Sequence, residues 1–114
     1  MAIDRARYDR AREGRVQVGR FTFVFRRPSP YEVAELSFSG RRFDLAFVES
    51  FFVGWEGVQE SDLLPSGDPM EAAFDPALFS AWLRDRPDFW DPVTNAVIEA
   101  YNRYEEARAT QGNA

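Results

Sequence analysis

The stretch Phe21-Thr22-Phe23-Val24-Phe25 constrains the fold of this chain more than any other. Its period of two makes it a β-strand and sets three phenylalanine rings on one face. Just upstream, Val16 and Val18 alternate with polar residues, and Gly19-Arg20 is a tight-turn pair. Residues 15–26 therefore predict a β-hairpin. A lone hairpin is marginal in water, so the three-ring face demands a cover that the rest of the chain must supply.

The chain beyond the hairpin is rich in helix-start signals. Ser29-Pro30-Tyr31-Glu32 combines a capping serine, a proline at the first helical position and a glutamate that can reach back to the cap amide, and Ser39-Gly40 breaks the segment. This predicts a helix over about 30–37. A second helix is predicted over 42–53. There Phe43, Phe47, Val48, Phe51 and Phe52 share one face, and only Asp44, Glu49 and Ser50 commit to water. It is either the central core helix or one divided between core and interface. Gly54 reads as the glycine past its end. Residues 55–74, with Gly57, Pro65, Ser66-Gly67 and Asp68-Pro69, read as loop, closing on a short extended stretch over 70–74.

Asp75-Pro76 opens a third helix, about 76–86, with Leu78, Phe79, Trp82 and Leu83 as its apolar face. Pro87 closes it. Asp91-Pro92 repeats the start signal, and Val93, Ala96, Val97, Ala100, Tyr101 and Tyr104 keep helical spacing over about 92–108. Residues 4–13 favour a short helix capped by Asp4 and ended by Gly14. Residues 1–14 are thus an Arg-rich helical or mobile arm, and 109–114 a frayed tail. The expected architecture is α+β: one domain over 1–114, with an N-terminal β-hairpin packed against a mainly helical body.

The chain has no Cys and no His. That excludes disulfides, thiol and imidazole catalysis, and Cys/His zinc sites. The carboxylates that remain sit in loops (Glu56, Glu60) or at helix ends (Asp85, Asp88, Glu105, Glu106), and nothing marks a pocket that would shift their titration. Glu60, Asp62 and Asp68 do not fit a calcium loop, because leucines and a proline take ligand positions. Neither glycine-rich phosphate-binding pattern occurs. A non-enzymatic protein without metal or cofactor is expected. The longest apolar run is too short to span a membrane, and the arginine-rich start is not a secretory signal, so the cytoplasm is the expected compartment.

Charge is split along the chain. Residues 1–42 carry ten Arg against five acids, net +5, and residues 43–114 carry four Arg against fourteen acids, net −10. Such a split can steer partners or favour head-to-tail self-association. An arginine arm could also grip phosphates, but the acids interleaved in it weigh against nucleic acid. Among Trp55, Trp82 and Trp90, Trp55 is the one to watch. It stands in an irregular region, where it either closes the fold or faces a partner.

Gly54-Trp55-Glu56-Gly57-Val58, a polar loop, Ala73-Phe74-Asp75-Pro76 opening a helix, Ala81-Trp82-Leu83, Pro87, and Ile98-Glu99-Ala100-Tyr101 in a last helix occur in an order that resembles the tail assembly chaperones of long-tailed bacteriophages and prophages. The Phe21-Thr22-Phe23 strand, with Arg26-Arg27-Pro28 after it, is similar to that family's N-terminal part. The resemblance covers residues 15–105 and leaves the arm outside. It implies a non-enzymatic protein of the host-cell cytoplasm that binds the tape measure protein, keeps its long hydrophobic helix soluble and helps recruit tail tube subunits. Partner contact would then fall on Phe47, Phe51, Phe52, Trp55, Glu56 and Val58. The competing expectations are another phage structural or adaptor accessory protein, and a nucleic-acid-associated regulator using the Arg-rich arm.

Overall fold

A computed structural model describes residues 2–112. Its order is α1 (Arg5–Arg10), β1 (Glu13–Val18), β2 (Phe21–Arg26), α2 (Pro30–Phe38), α3 (Leu45–Val48), a 3₁₀ turn (Glu49–Phe51), β3 (Phe52–Glu56), α4 (Glu60–Leu63), α5 (Pro76–Arg84) and α6 (Pro87–Gly112). The strands form one antiparallel sheet in the order β1-β2-β3. The fold is α+β, as the hairpin and the helix signals require.

The hairpin closes at Gly19-Arg20, with Val18 opposite Phe21 and Val16 opposite Phe23. Phe21, Phe23 and Phe25 are all buried. Their cover comes mainly from the last two helices. Trp82 of α5 meets Phe21 edge-on at 5.1 Å between ring centres, and Phe89 of α6 meets Phe23 at 5.2 Å. Phe79 stacks on Phe52 at 4.9 Å. Edge-to-face pairs of this kind add about 0.5–1.5 kcal/mol each beyond area burial.

Several local expectations are corrected. The helix over 42–53 is only a short helical stretch from Leu45 to Phe51, after which Phe52–Glu56 is a strand on the free edge of β2. Phe43, Phe47 and Phe51 still keep helical spacing, with ring centres 4.9 and 5.0 Å apart. The misleading element is a β-bulge. Trp55 pairs with Phe23 and Gly54 with Val24, but Phe25 pairs with Phe52, so Val53 is an extra residue. Phe52 and Trp55, three apart, thereby reach the same face of a strand, a spacing that imitates a helix. Gly54 is accordingly not a helix-ending glycine: its φ is not positive.

Gly14 does not end α1 either. It lies in β1 opposite Phe25, and a Cβ there would sit 2.6 Å from that ring. Helix α1 stops at Arg10 because the strand begins at Glu13. Within the 55–74 loop, α4 is a single helical turn, started by Asp62 accepting from the Gln59 amide at 2.8 Å.

The last helix starts at Pro87, not at Pro92. The apolar stripe runs back through Phe89, four before Val93, and all three of Phe89, Val93 and Val97 are buried. Pro92 within the helix withholds one amide from the exposed residue 88, a tolerable loss so near the first turn. At its other end α6 continues through Gly112 where a frayed tail was expected, and positions 113–114 lie outside the described residues, as does Met1 of the arm.

Candidate partner-binding surfaces

The Trp-Glu-Gly-Val motif is architectural. Trp55 is buried, donates its indole N–H to the Ala72 carbonyl at 2.8 Å, and packs edge-on against Phe74 and Trp82. Glu56 emerges on the outer face of the sheet, 3.3 Å from Arg15. Gly57 has φ +78°, and a Cβ there would meet the Arg20 carbonyl oxygen at 2.7 Å. Val58 is fully buried, and its carbonyl accepts from the Ala72 amide. The motif thus sews the 59–72 loop onto the end of the sheet.

That placement divides the six residues assigned to partner contact. Phe52, Trp55 and Val58 are core, and Glu56 stands apart on the sheet. Phe47, itself largely buried, and half-buried Phe51 do come together. They line a groove between α2 and α3 of about 470 Å³ with Leu36, Ala46, Glu32 and Glu35. Helix α2 forms one wall of this groove. Ser29 and Glu32 complete a reciprocal cap, with Glu32 Oε1 accepting from the Ser29 amide at 3.0 Å. Only Leu36 of α2 is buried. Tyr31 and Phe38, seven residues apart on one stripe, are 73% and 92% exposed. Pattern-reading missed these two. Nothing in the sequence marks them, because single apolar residues on a surface are ordinary.

A second groove, of about 410 Å³, opens beside α4. It is lined by Leu63, Leu64, Ala72, Ala73, Leu78, Gly67 and Glu60, and most of that lining is carbon. The loop that shapes it is pinned by backbone bonds: the Glu60 amide to the Met70 carbonyl at 2.9 Å, Ser61 to Asp68 at 3.1 Å, and Gly67 to Leu64 at 2.7 Å. Leu64, Met70 and Leu78 are all exposed.

Acid–base chemistry is not concentrated in either groove. The displaced titrations lie elsewhere, and each displaced carboxylate has an arginine as its cause. Asp9 is held below the ordinary carboxylate range by the hydrogen bond from Arg5, Asp88 by that from Arg86, and Glu105 by those from Arg108 and Tyr101. Burial is the main cause lowering Arg27, whose guanidinium lies 3.6 Å from the Tyr104 ring centre. Among the described residues no group of three or more carboxylates is placed to hold a metal ion. Nor is any helix among them long and apolar enough to cross a membrane.

No family model matches the chain, and no solved structure matches it. Over 82 residues, 71% of its length, it is 34% identical to the glutamine synthetase of Aquifex aeolicus (strain VF5). The chain spans only 17% of that protein's length.

Proposed function

We propose that the chain is a tail assembly chaperone of a long-tailed bacteriophage or prophage, which binds the tape measure protein, keeps it soluble and helps recruit tail tube subunits. The observation that carries this is the α2–α3 groove. It has an aromatic floor of Phe47 and Phe51, and α2, which forms its other wall, presents Tyr31 and Phe38 to water outside the groove lining. An amphipathic helix recognised through anchors at i, i+3, i+4 and i+7 needs such a surface. Aromatic residues are enriched at protein–protein contacts, which suits the Phe47–Phe51 floor to a partner helix. The sequence resemblance around Trp55 supports the same reading, although the motif itself builds the core rather than the contact.

Co-expression with the tape measure protein is the test. The wild-type chain should raise its soluble fraction several-fold, and Tyr31→Ser with Phe38→Ser should abolish that gain while leaving the chaperone's own melting temperature within about 2 °C, since exposed substitutions cost little. If the tape measure protein is no more soluble with this chain than alone, the proposal fails. The partial match to glutamine synthetase supplies a second reading, a module of a glutamine-forming enzyme. Glutamine formation by the purified chain would favour it.

A further inference from the structure

The end of the arm, the end of β2 and the last helix meet at a hollow of about 210 Å³ that shares no lining residue with the α2–α3 groove. Its lining includes Arg12, Glu13, Arg27, Arg103 and Tyr104. We infer that this hollow is an oxyanion site, and that it takes a phosphate group, free or as a monoester, held by Arg27 and Arg103 in the field of Arg12.

Positive charge is under-matched here. Arg27 is half-buried, yet it forms no ion pair among the described residues. Its guanidinium lies over the Tyr104 ring at 3.6 Å and donates to the Pro28 carbonyl at 3.0 Å. A charge withdrawn from water normally has an ionic partner, because neither a ring nor a carbonyl replaces full hydration. Arg12 sharpens the imbalance. It donates to the Arg27 carbonyl at 2.8 Å, so the two cations are neighbours, and after burial it is the next cause lowering Arg27. The Arg12 Nε is buried and has no hydrogen-bond partner among the described residues.

The carboxylates nearby do not close the site. Glu32 stands 3.6 Å from Arg12, and Glu105 is taken by Arg108 and Tyr101. Glu13, in the lining, forms no ion pair among the described residues. Glu99 is 3.8 Å from Arg103, but their side chains are 67% and 77% exposed, so that pair is weak and readily exchanged.

The donors define the ligand. They come from three separate segments and approach from different directions. That suits a tetrahedral oxyanion better than a planar carboxylate, which a single arginine can hold through two parallel bonds. The hollow is smaller than the roughly 300–1,000 Å³ of a typical small-molecule pocket, so only the phosphoryl group enters. Helix α1 buries no residue of its own. An anion that offsets the repulsion between Arg12 and Arg27 therefore fastens the arm to the body.

Amide NMR during titration with inorganic phosphate, at ionic strength held constant with chloride, tests this. Saturable shifts are expected around positions 12–14, 27 and 100–104, with a dissociation constant on the order of 1 mM for so small a ligand. Amide exchange in α1 should slow as the site fills. Arg27→Gln should weaken binding about tenfold or more. Because Arg27 also packs on Tyr104, Arg103→Gln provides a second variant at an exposed position where folding is kept, and it should weaken binding about fivefold. Arg42→Gln, exposed and outside the lining, should leave affinity unchanged. Adenosine monophosphate separates the two sources: tighter binding than phosphate marks a phosphoryl group carried on a larger molecule, and equal or weaker binding marks the free anion. Shifts that chloride reproduces, shifts that grow without saturating, or unchanged affinity in both Arg27→Gln and Arg103→Gln would overturn the inference.

Discussion

Replacing Trp55 tests whether the central motif is core or contact. The ring is 7% exposed, lies edge-on to Phe74 at 5.1 Å and to Trp82 at 6.0 Å, and gives its N–H to the Ala72 carbonyl. Truncation of a buried tryptophan to alanine costs about 3–5 kcal/mol. Ala72 is itself buried, so its carbonyl loses a donor that water cannot readily replace, which adds about 1–3 kcal/mol. The sum, roughly 4–8 kcal/mol, approaches the whole stability of an ordinary domain, about 5–15 kcal/mol. At about 4 °C per kcal/mol for this size, Trp55→Ala should lower Tm by about 15 °C or more, or leave the chain unfolded. Trp55→Phe keeps most of the packing but not the donor, and should cost about 1.5–3 kcal/mol. Urea melts monitored by far-UV circular dichroism, which does not depend on the deleted indole, read both. An unchanged m-value would locate the loss in the native state. Partner binding by either variant should track the folded fraction. A loss below about 1 kcal/mol for Trp55→Ala, or binding that fails while stability holds, would refute the core assignment.

Gly57→Ala forces a left-handed residue and a Cβ into the Arg20 carbonyl, so it should destabilise by about 1–3 kcal/mol in the same melts. A neutral Gly57→Ala would show that the turn can relax. Ser29→Ala removes one half of the cap of α2 and should cost about 1 kcal/mol, with faster amide exchange confined to the first turn of that helix. Asp9, Asp88 and Glu105 are depressed in the folded state by hydrogen bonds from arginine. The stability they contribute is present above the unfolded carboxylate range near about pH 4, and is lost as pH falls through their lower folded values. Carbon-detected NMR titration should place all three midpoints below those of exposed carboxylates, and midpoints at ordinary values would remove this contribution.

Local chemistry alone settles several features of this protein. The alternation of Phe21, Phe23 and Phe25 specifies a strand and its buried face, because side-chain direction in a strand depends only on position parity. Ser29-Pro30 and Asp75-Pro76 specify helix starts, because the cap bonds span three residues. The absence of Cys and His restricts the available chemistry without any fold. Tertiary structure decided the rest. Strand β3 exists because β2 had a free edge to pair, and the bulge at Val53 lets residues at helical spacing share a sheet face. Helix α6 begins at Pro87 because Phe89 had a core to enter, whereas the start signal at Asp91-Pro92 is equally good locally. The same dependence moved the candidate contact. Burial is a property of what covers a side chain, and that cover comes from residues far along the chain. Trp55, Phe52 and Val58 were therefore taken into the core, while Tyr31 and Phe38, unremarkable in sequence, were left facing water.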